Sequence, residues 1–382
     1  MSFLTAGESH GPGLVGILEG LPAGLEITVE EINLQLARRQ HGHGRGKRMS
    51  IEQDHVEIFG GVRFGRTLGS PVALIVKNRD WKNWTAKMAV EPLAERPASV
   101  TLPRPGHADL AGVQKFGFYD IRDVLERSSA RETAMRVALA ALARKLLAEV
   151  GIAVGSRVVQ IHDQVDDKPL PEKLNLNELT ATADVSPVRC LDKTAAAAMV
   201  AAIDRAQAAG DSVGGIFEVL ATGLPYGLGS YTHWDCKLTT RLSAAVMSIN
   251  AVKGVSFGAG FDQAGWTGSA THDEILPDGR SFQRPTNNAG GLEGGMSNAQ
   301  PLVLRAVMKP IPTLMKPLRS TDIASGEQRT AHKERTDACA VPAAAIVAES
   351  MVCLVLTDAL LEKFGGDSLE QLKDHMKMSA RY

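Results

Sequence analysis

Two long stretches of this chain carry very few charges in their middle turns: residues 128–150, SSARETAMRVALAALARKLLAEV, and 342–364, PAAAIVAESMVCLVLTDALLEKF. Both read as helices. The first starts at a serine, has Arg131 and Glu132 in its first turns, and stops at Gly151. The second opens with Pro342 in its first turn and closes at Gly365-Gly366. A helix that is apolar nearly all round has to be buried between other layers. The expected architecture is therefore a core of long helices covered by sheets.

Two more helices are predicted at the margins of that core. Residues 28–40 begin with a Thr28/Glu31 capping box, and the alanine-rich 192–209 ends before Gly210. The strand-like segments HVEIFGGVRFG, PVALIVK, VGSRVVQIH, GIFEVLATGL and PLVLRAVMK mostly alternate apolar with polar residues. Alternation favours antiparallel sheets with one covered face over a doubly wound parallel sheet. Ten glycines between Gly254 and Gly295 predict a strand followed by loops.

At about 150 residues per domain, 382 residues are enough for one large core or two coupled ones. Short strings near residues 16–25 and 215–228 echo each other, as do Arg127-Ser128-Ser129-Ala130 and Arg335-Thr336-Asp337-Ala338. They suggest a single domain over 1–382 with two pseudo-equivalent halves, about 1–165 and 190–382, unless the echo is coincidence.

A net charge of -1 and only 18 aromatic residues argue against nucleic acid as the partner. Any polyanion must meet a local basic patch. The cysteines Cys190, Cys236, Cys339 and Cys353 form no CxxC pair, so neither disulfides nor a metal site is supported, and reduced thiols in the cytoplasm are expected. The first ten residues do not read as a signal peptide, and no apolar run approaches a membrane span without charge, glycine or proline breaks.

Gly11 to Gly16 matches GxGxxG, but Gly20, Pro22 and Gly24 follow too closely for the helix that fingerprint needs. Gly46-Lys47 lacks the other Walker residues. What remains are small groups of histidine, serine and arginine. The loop at 38–48 carries Arg38, Arg39, Arg45, Lys47 and Arg48 without an acid; it suits a multiply charged small anion or is a solvated basic loop. His10 and His107 each sit on a glycine turn, the latter stiffened by Pro105 and close to Asp109. Either alone is more readily structural or merely exposed; as a pair they are better candidates for proton transfer. Arg127-Ser128-Ser129-Ala130-Arg131, placed at a helix N-terminus, makes a phosphate site. Lys309-Pro310-Ile311-Pro312-Thr313 is a rigid loop that edges a planar ligand or simply leaves a strand.

In order along the chain, GESHGPG, RRQ…GRG…RM, RPGHADL, ERSSARETAMRVA, GDSVGG, GGLEGGMSN, KPIPT and RTDACAVPAAAIVAE together resemble the chorismate synthase family. The resemblance implies conversion of 5-enolpyruvylshikimate 3-phosphate to chorismate by an anti-1,4-elimination, with reduced FMN as transient electron donor. It implies an α+β layered sandwich with long helices between antiparallel sheets, assembled as a homotetramer. By resemblance, His10 would act as acid for the departing phosphate, His107 would set the protonation of the flavin, and Asp337 would help manage the C6 proton through the flavin. Ser9, Arg39, Arg45 and Arg131 would hold the substrate. Flavin contacts would fall to Arg127, Ser128, Ser129, Asn250, Ala251, Gly294, Lys309 to Thr313 and Arg335, and Arg39 and Arg45 are also associated with NADPH in some relatives.

With no extra domain visible, a monofunctional enzyme supplied by an external flavin reductase is expected. His41 and His43 depart from the usual family residues and suggest a pH-sensitive loop, and Ala299 stands where glycine is common. A binding module would not need two proton donors, and a phosphatase would need a metal cluster or an activated nucleophile.

Overall fold

The computed structural model describes residues 1–45, 53–171, 173–279, 281–331 and 337–379. The first layer is a sheet of β1 (Ser2–Ala6), β2 (Gly13–Glu19), β3 (Val56–Gly60) and β4 (Val72–Lys77), in the order β1-β2-β4-β3 and antiparallel throughout. β2 alternates buried and exposed residues, as a sheet with one covered face should. The GxGxxG string therefore leads into a strand. A side chain at Gly16 would place its Cβ 2.6 Å from the Met135 side chain, so the glycine lets strand and helix approach closely.

α1 (Val29–Gln40) carries the capping box: Thr28 Oγ1 accepts from the Glu31 amide, and Glu31 accepts from the Thr28 amide. α2 (Asp109–Phe116) and α3 (Arg122–Ser128) precede α4 (Thr133–Glu149), which is buried along most of its length. The predicted helix start at Ser128 is corrected. Ser129 is extended (φ -66°, ψ 143°) and caps a 3-10 turn at Ala130–Glu132, so one reading frame of helix becomes helix, break and helix. The break exists because Ser129 Oγ accepts from the Arg131 amide, which then needs no helical carbonyl.

The second sheet comprises β5 (Ala153–Ile161), β6 (Gly215–Thr222), β7 (Val252–Phe257) and β8 (Leu302–Met308), ordered β7-β8-β6-β5, with a two-residue strand beyond β5. β5 and β6 are buried on both faces, more than the expected single covered face. The reason is α5 (Leu176–Val185), whose Leu176 and Leu179 cover the outer side against Leu220. α6 (Lys193–Ala208), capped by Asp192, and α7 (Leu238–Met247) flank this sheet.

α8 (Val341–Phe364) packs along α4, and these two helices fill the space between the sheets, α4 against β2 and β4, α8 against β5 and β6. The chain is thus an α+β layered sandwich with antiparallel sheets outside. By length and composition α8 passes for a membrane span, with a mean hydropathy of 2.0 over 18 residues, although Pro342, Glu349 and Asp358 punctuate it as expected. Pro342 sits harmlessly in its first turn and Glu349 lies among arginines, so neither breaks the helix. Of that window, 83% is buried in the core.

Glu349 is fully buried in α8. It accepts from Arg38 Nη1 (2.8 Å) and Nη2 (3.1 Å), Arg189 Nη2 (3.2 Å) and Ser156 Oγ (2.6 Å), and pairs with Arg144. Arg38 and Arg189 also share Asp184. Burial alone would raise the Glu349 pKa, but the three guanidiniums hold it far below the carboxylate range.

Ala299 adopts φ 62°, a left-handed conformation that costs an L-residue about 1–2 kcal/mol. Ala299→Gly is expected to raise unfolding stability by up to about 1 kcal/mol after the extra chain entropy of glycine is subtracted. Urea denaturation of the two proteins checks this, and an unchanged or lower midpoint contradicts it.

Candidate active site

The turn between β1 and β2 brings Glu8, Ser9 and His10 over the end of α3. The Ser9 amide donates to the Glu126 carbonyl (3.0 Å), and the His10 amide donates to Glu126 Oε2 (2.9 Å). His10 Nδ1 lies 3.0 Å from both oxygens of the same carboxylate. A carboxylate only accepts, so Nδ1 carries a hydrogen and the ring's chemistry is left to Nε2. Burial pushes Glu126 upward, yet the hydrogen bond and charge of His10, with Arg122, keep it below the usual carboxylate range. Ser129 Oγ donates to Ser9 Oγ (3.2 Å), which ties the 3-10 break to this turn.

Three guanidiniums gather beside it. Arg131 donates through Nε and Nη2 to Asn78 Oδ1 (3.1 and 2.8 Å) and through Nη1 to Asp54 (2.6 Å). Asn78 Nδ2 in turn donates to the carbonyls of Ser9 and Gly11, so Arg131 and the His10 turn share one brace. Arg39, at the end of α1, donates to Thr133 Oγ1 (3.0 Å) and the Ala130 carbonyl (2.9 Å). Arg45 Nε lies 3.2 Å from Asp337. Burial, together with the like charges of Arg45 and Arg131, pushes Arg39 down to about 10, although Asp54 and Asp337 oppose the shift. Positive charge is therefore concentrated where the global charge is nearly zero, and a small polyanion relieves it.

His107 is built in the same way. Its Nδ1 is 2.6 Å from Asp109 Oδ1, and Asp109 also accepts from the Arg104 amide (3.0 Å), Nε (2.8 Å) and Nη2 (3.0 Å). Burial raises the Asp109 pKa, but the bonds from His107 and Arg104 outweigh it and hold this carboxyl far below its ordinary value.

Around this turn the Gly106 carbonyl accepts from Lys309 Nζ (2.7 Å), the Lys309 amide donates to the Ala251 carbonyl (3.0 Å), and Asn250 Nδ2 donates to the Ser128 carbonyl (3.0 Å). Ser212 Oγ donates to the Ile311 carbonyl (2.7 Å). Three hydrogen bonds thus tie the Gly106 turn to Lys309, Lys309 to Ala251, and Asn250 to Ser128, and a fourth joins Ser129 to Ser9. Ala251 holds φ 67°, and at Gly106 an added Cβ would meet Lys309 Nζ at 3.3 Å and Pro312 at 3.5 Å. The 104–107 turn and the 309–313 loop are thus held close together.

The other predicted residues have the following partners. Arg127 donates to the Thr5 and Gly7 carbonyls (2.7 and 3.0 Å) and braces β1. Ser128 ends α3 rather than beginning a helix, so the expected helix N-terminal phosphate site is replaced by the 3-10 turn after Ser129. Arg38 and Arg39 belong to α1, not to a loop, and Arg38 faces the Glu349 cluster. Gly294 is in the hairpin turn between Leu292–Glu293 and Met296–Asn298. Its neighbour Gly295 accepts from the Leu238 amide at the start of α7, the helix that leads towards Asn250. His43 pairs with Asp204 of α6 at 2.6 Å. Arg335, Gly46, Lys47 and Arg48 lie outside the described residues.

Sequence reasoning missed Asp54, Asn78 and Trp84, which stand in no motif. Glu126 stands beside Arg127 in ERSSARETAMRVA, where the arginines drew the attention.

The chorismate synthase family profile matches residues 1–361. The chain is 54% identical over 388 residues to chorismate synthase 2 of Bacillus cereus, covering 100% of this chain and 99% of that one. It is 53% identical over 383 residues to chorismate synthase of Bacillus subtilis, covering 99% and 98%. A crystal structure of chorismate synthase superimposes with a TM-score of 0.80 at 41% identity, covering 99% of this chain and 97% of that one.

Proposed function

We propose how this protein works from one premise: the chain belongs to the chorismate synthase family and is a carbon–oxygen lyase that forms chorismate in the shikimate pathway. Its substrate is 5-enolpyruvylshikimate 3-phosphate, which loses phosphate from C3 and a hydrogen from C6 with anti geometry. Reduced FMN, held by the residues named below, would supply transient electron donation to this elimination. The observation that carries this reading is the convergence of Arg39, Arg45 and Arg131 near the His10 turn, with His10 and His107 each backed by a buried carboxylate.

The arginines hold the phosphate and carboxylates of the substrate, and their fixed partners mean little reorganisation is needed when charge develops on the leaving group. Ser9 adds a hydrogen bond. His10 donates its Nε2 proton to the departing phosphate, Asp337 helps manage the proton lost from C6, and His107 governs the protonation of the flavin. Ser128, Ser129, Asn250, Ala251 and the 309–313 loop hold the flavin, with Arg127, Gly294 and Arg335 as further contacts.

The protein works as a homotetramer in the cytoplasm and receives reduced flavin from a separate reductase, with NADPH acting only through that reductase. Exposed Leu4, Val15 and Ile17 on one outer face of the first sheet support self-association.

An anaerobic assay of phosphate release and chorismate absorbance tests the reading. Turnover is expected with chemically reduced FMN and not with oxidised FMN plus NADPH. Turnover with both overturns the external reductase. Turnover with neither, from folded protein, overturns the reaction and leaves a binding protein.

A further inference from the structure

We propose that Glu126, with Trp84 and Arg122, is the positioning group of His10: it fixes the tautomer and orientation of the ring and stabilises its protonated form. The inference rests on the reading of His10 as the acid, and four observations support it. The Glu126 carboxylate is 2% exposed and meets Nδ1 with both oxygens at 3.0 Å, so the ring has little freedom to rotate without breaking a buried bond. The same carboxylate accepts from the His10 amide, which locks backbone and side chain to one anchor.

On the ring face, Trp84 stacks at a centroid distance of 3.7 Å with planes 23° apart. An indole in that position attracts an imidazolium more than an imidazole. Finally, Arg122 ties the two supports together: Nη1 donates to Glu126 Oε1 at 2.9 Å, and its guanidinium carbon lies 5.2 Å from the centre of the Trp84 ring. Trp84 itself is held by Asp80, which accepts from its Nε1 at 2.8 Å.

The chemistry follows from this frame. As the C3–O bond breaks, the Nε2–H bond breaks and an O–H bond forms on the phosphate. The ring is left neutral with Nδ1–H still donated to Glu126, and water restores the Nε2 proton. A negative Glu126 favours the charged ring before transfer, and Arg122 tempers that effect. The other charged groups around the ring are Glu8 in its own turn and Asp80 and Lys87 around Trp84. Asp109 and Arg104 support His107 in a parallel way, so a carboxylate–arginine support for a histidine occurs twice.

Glu126→Gln tests this. The variant keeps the size of the side chain and one acceptor but removes the charge. With chemically reduced FMN, kcat is expected to fall about 10- to 100-fold, as for lost carboxylate support of other functional histidines, while KM for 5-enolpyruvylshikimate 3-phosphate changes far less. In histidine-labelled protein the His10 resonance, assigned with His10→Asn, is expected to titrate at lower pH in Glu126→Gln than in the parent.

Should Glu126→Gln fold poorly, Trp84→Leu serves, because it leaves the carboxylate pair and removes only the stack; a smaller shift of the same sign is expected. A folded variant with parental kcat and an unmoved His10 titration overturns the proposal. Because the resonance reads His10 without turnover, an inactive parent protein would defeat the reaction assignment while leaving this one testable.

Discussion

His107→Ala protein is expected to fold as the parent does and to form chorismate about 10²- to 10⁴-fold more slowly. The fold survives because the carboxylate that loses its histidine is not orphaned: Asp109 keeps three bonds from Arg104. Most losses of one partner from a buried pair are costly for want of such a second partner. The rate falls because no other side chain with a titrating proton stands on the 104–107 turn. Steady-state turnover with pre-reduced FMN, beside a thermal melt of both proteins, checks the two halves of this expectation. A variant with normal turnover removes His107 from the reaction; a variant that melts far earlier shows that its role is structural.

Glu349→Ala carries the largest expected effect on stability, a loss of about 3–5 kcal/mol. Arg38, Arg144 and Arg189 would then face one another across a dry space, with Asp184 beside only Arg38 and Arg189. The pH dependence follows from the depressed pKa. The stabilisation from Glu349 is complete above the ordinary carboxylate value of about 4.3 and is lost as pH falls through the lower folded value. In urea titrations the parent should therefore lose this contribution in acid, and the variant should show a flatter profile there. Equal midpoints at neutral pH would remove the cluster from the stability of the core.

Local signals made the scaffold readable. Caps at Thr28 and Asp192, Pro342 and the glycines at 151 and 365 bound helices where they were expected within a residue or two. Alternation marked the strands. The break at Ser129 escaped notice because serine caps a helix and a 3-10 turn by the same hydrogen bond, and only the next turn decides between them. Double burial of β5 depended on where α5 lands, which no local pattern contains.

At the site, the histidines and arginines were visible as residue types on unusual backbone. Their supports were not: Asp54 and Asn78 look like any polar residue at a strand end, and Arg38 looked like a ligand group until Glu349 claimed it. Arg39 and Arg38 are neighbours of identical chemistry, and the 100° step between successive helix positions sends one to the cleft and the other to the core.

The candidate site draws on the first turn of the chain, the end of α1, the 104–109 turn, the break before α4, the 250–251 turn, the 309–313 loop and Asp337. No two neighbouring segments in sequence suffice to make it. A growing chain on the ribosome therefore carries at most the His10 and His107 supports, and the site is complete only when the segment before α8 has emerged and Asp337 meets Arg45. Occupancy and global folding are consequently one equilibrium, and each ligand that enters the cleft acts as a clamp on the entire sandwich, including parts it never touches.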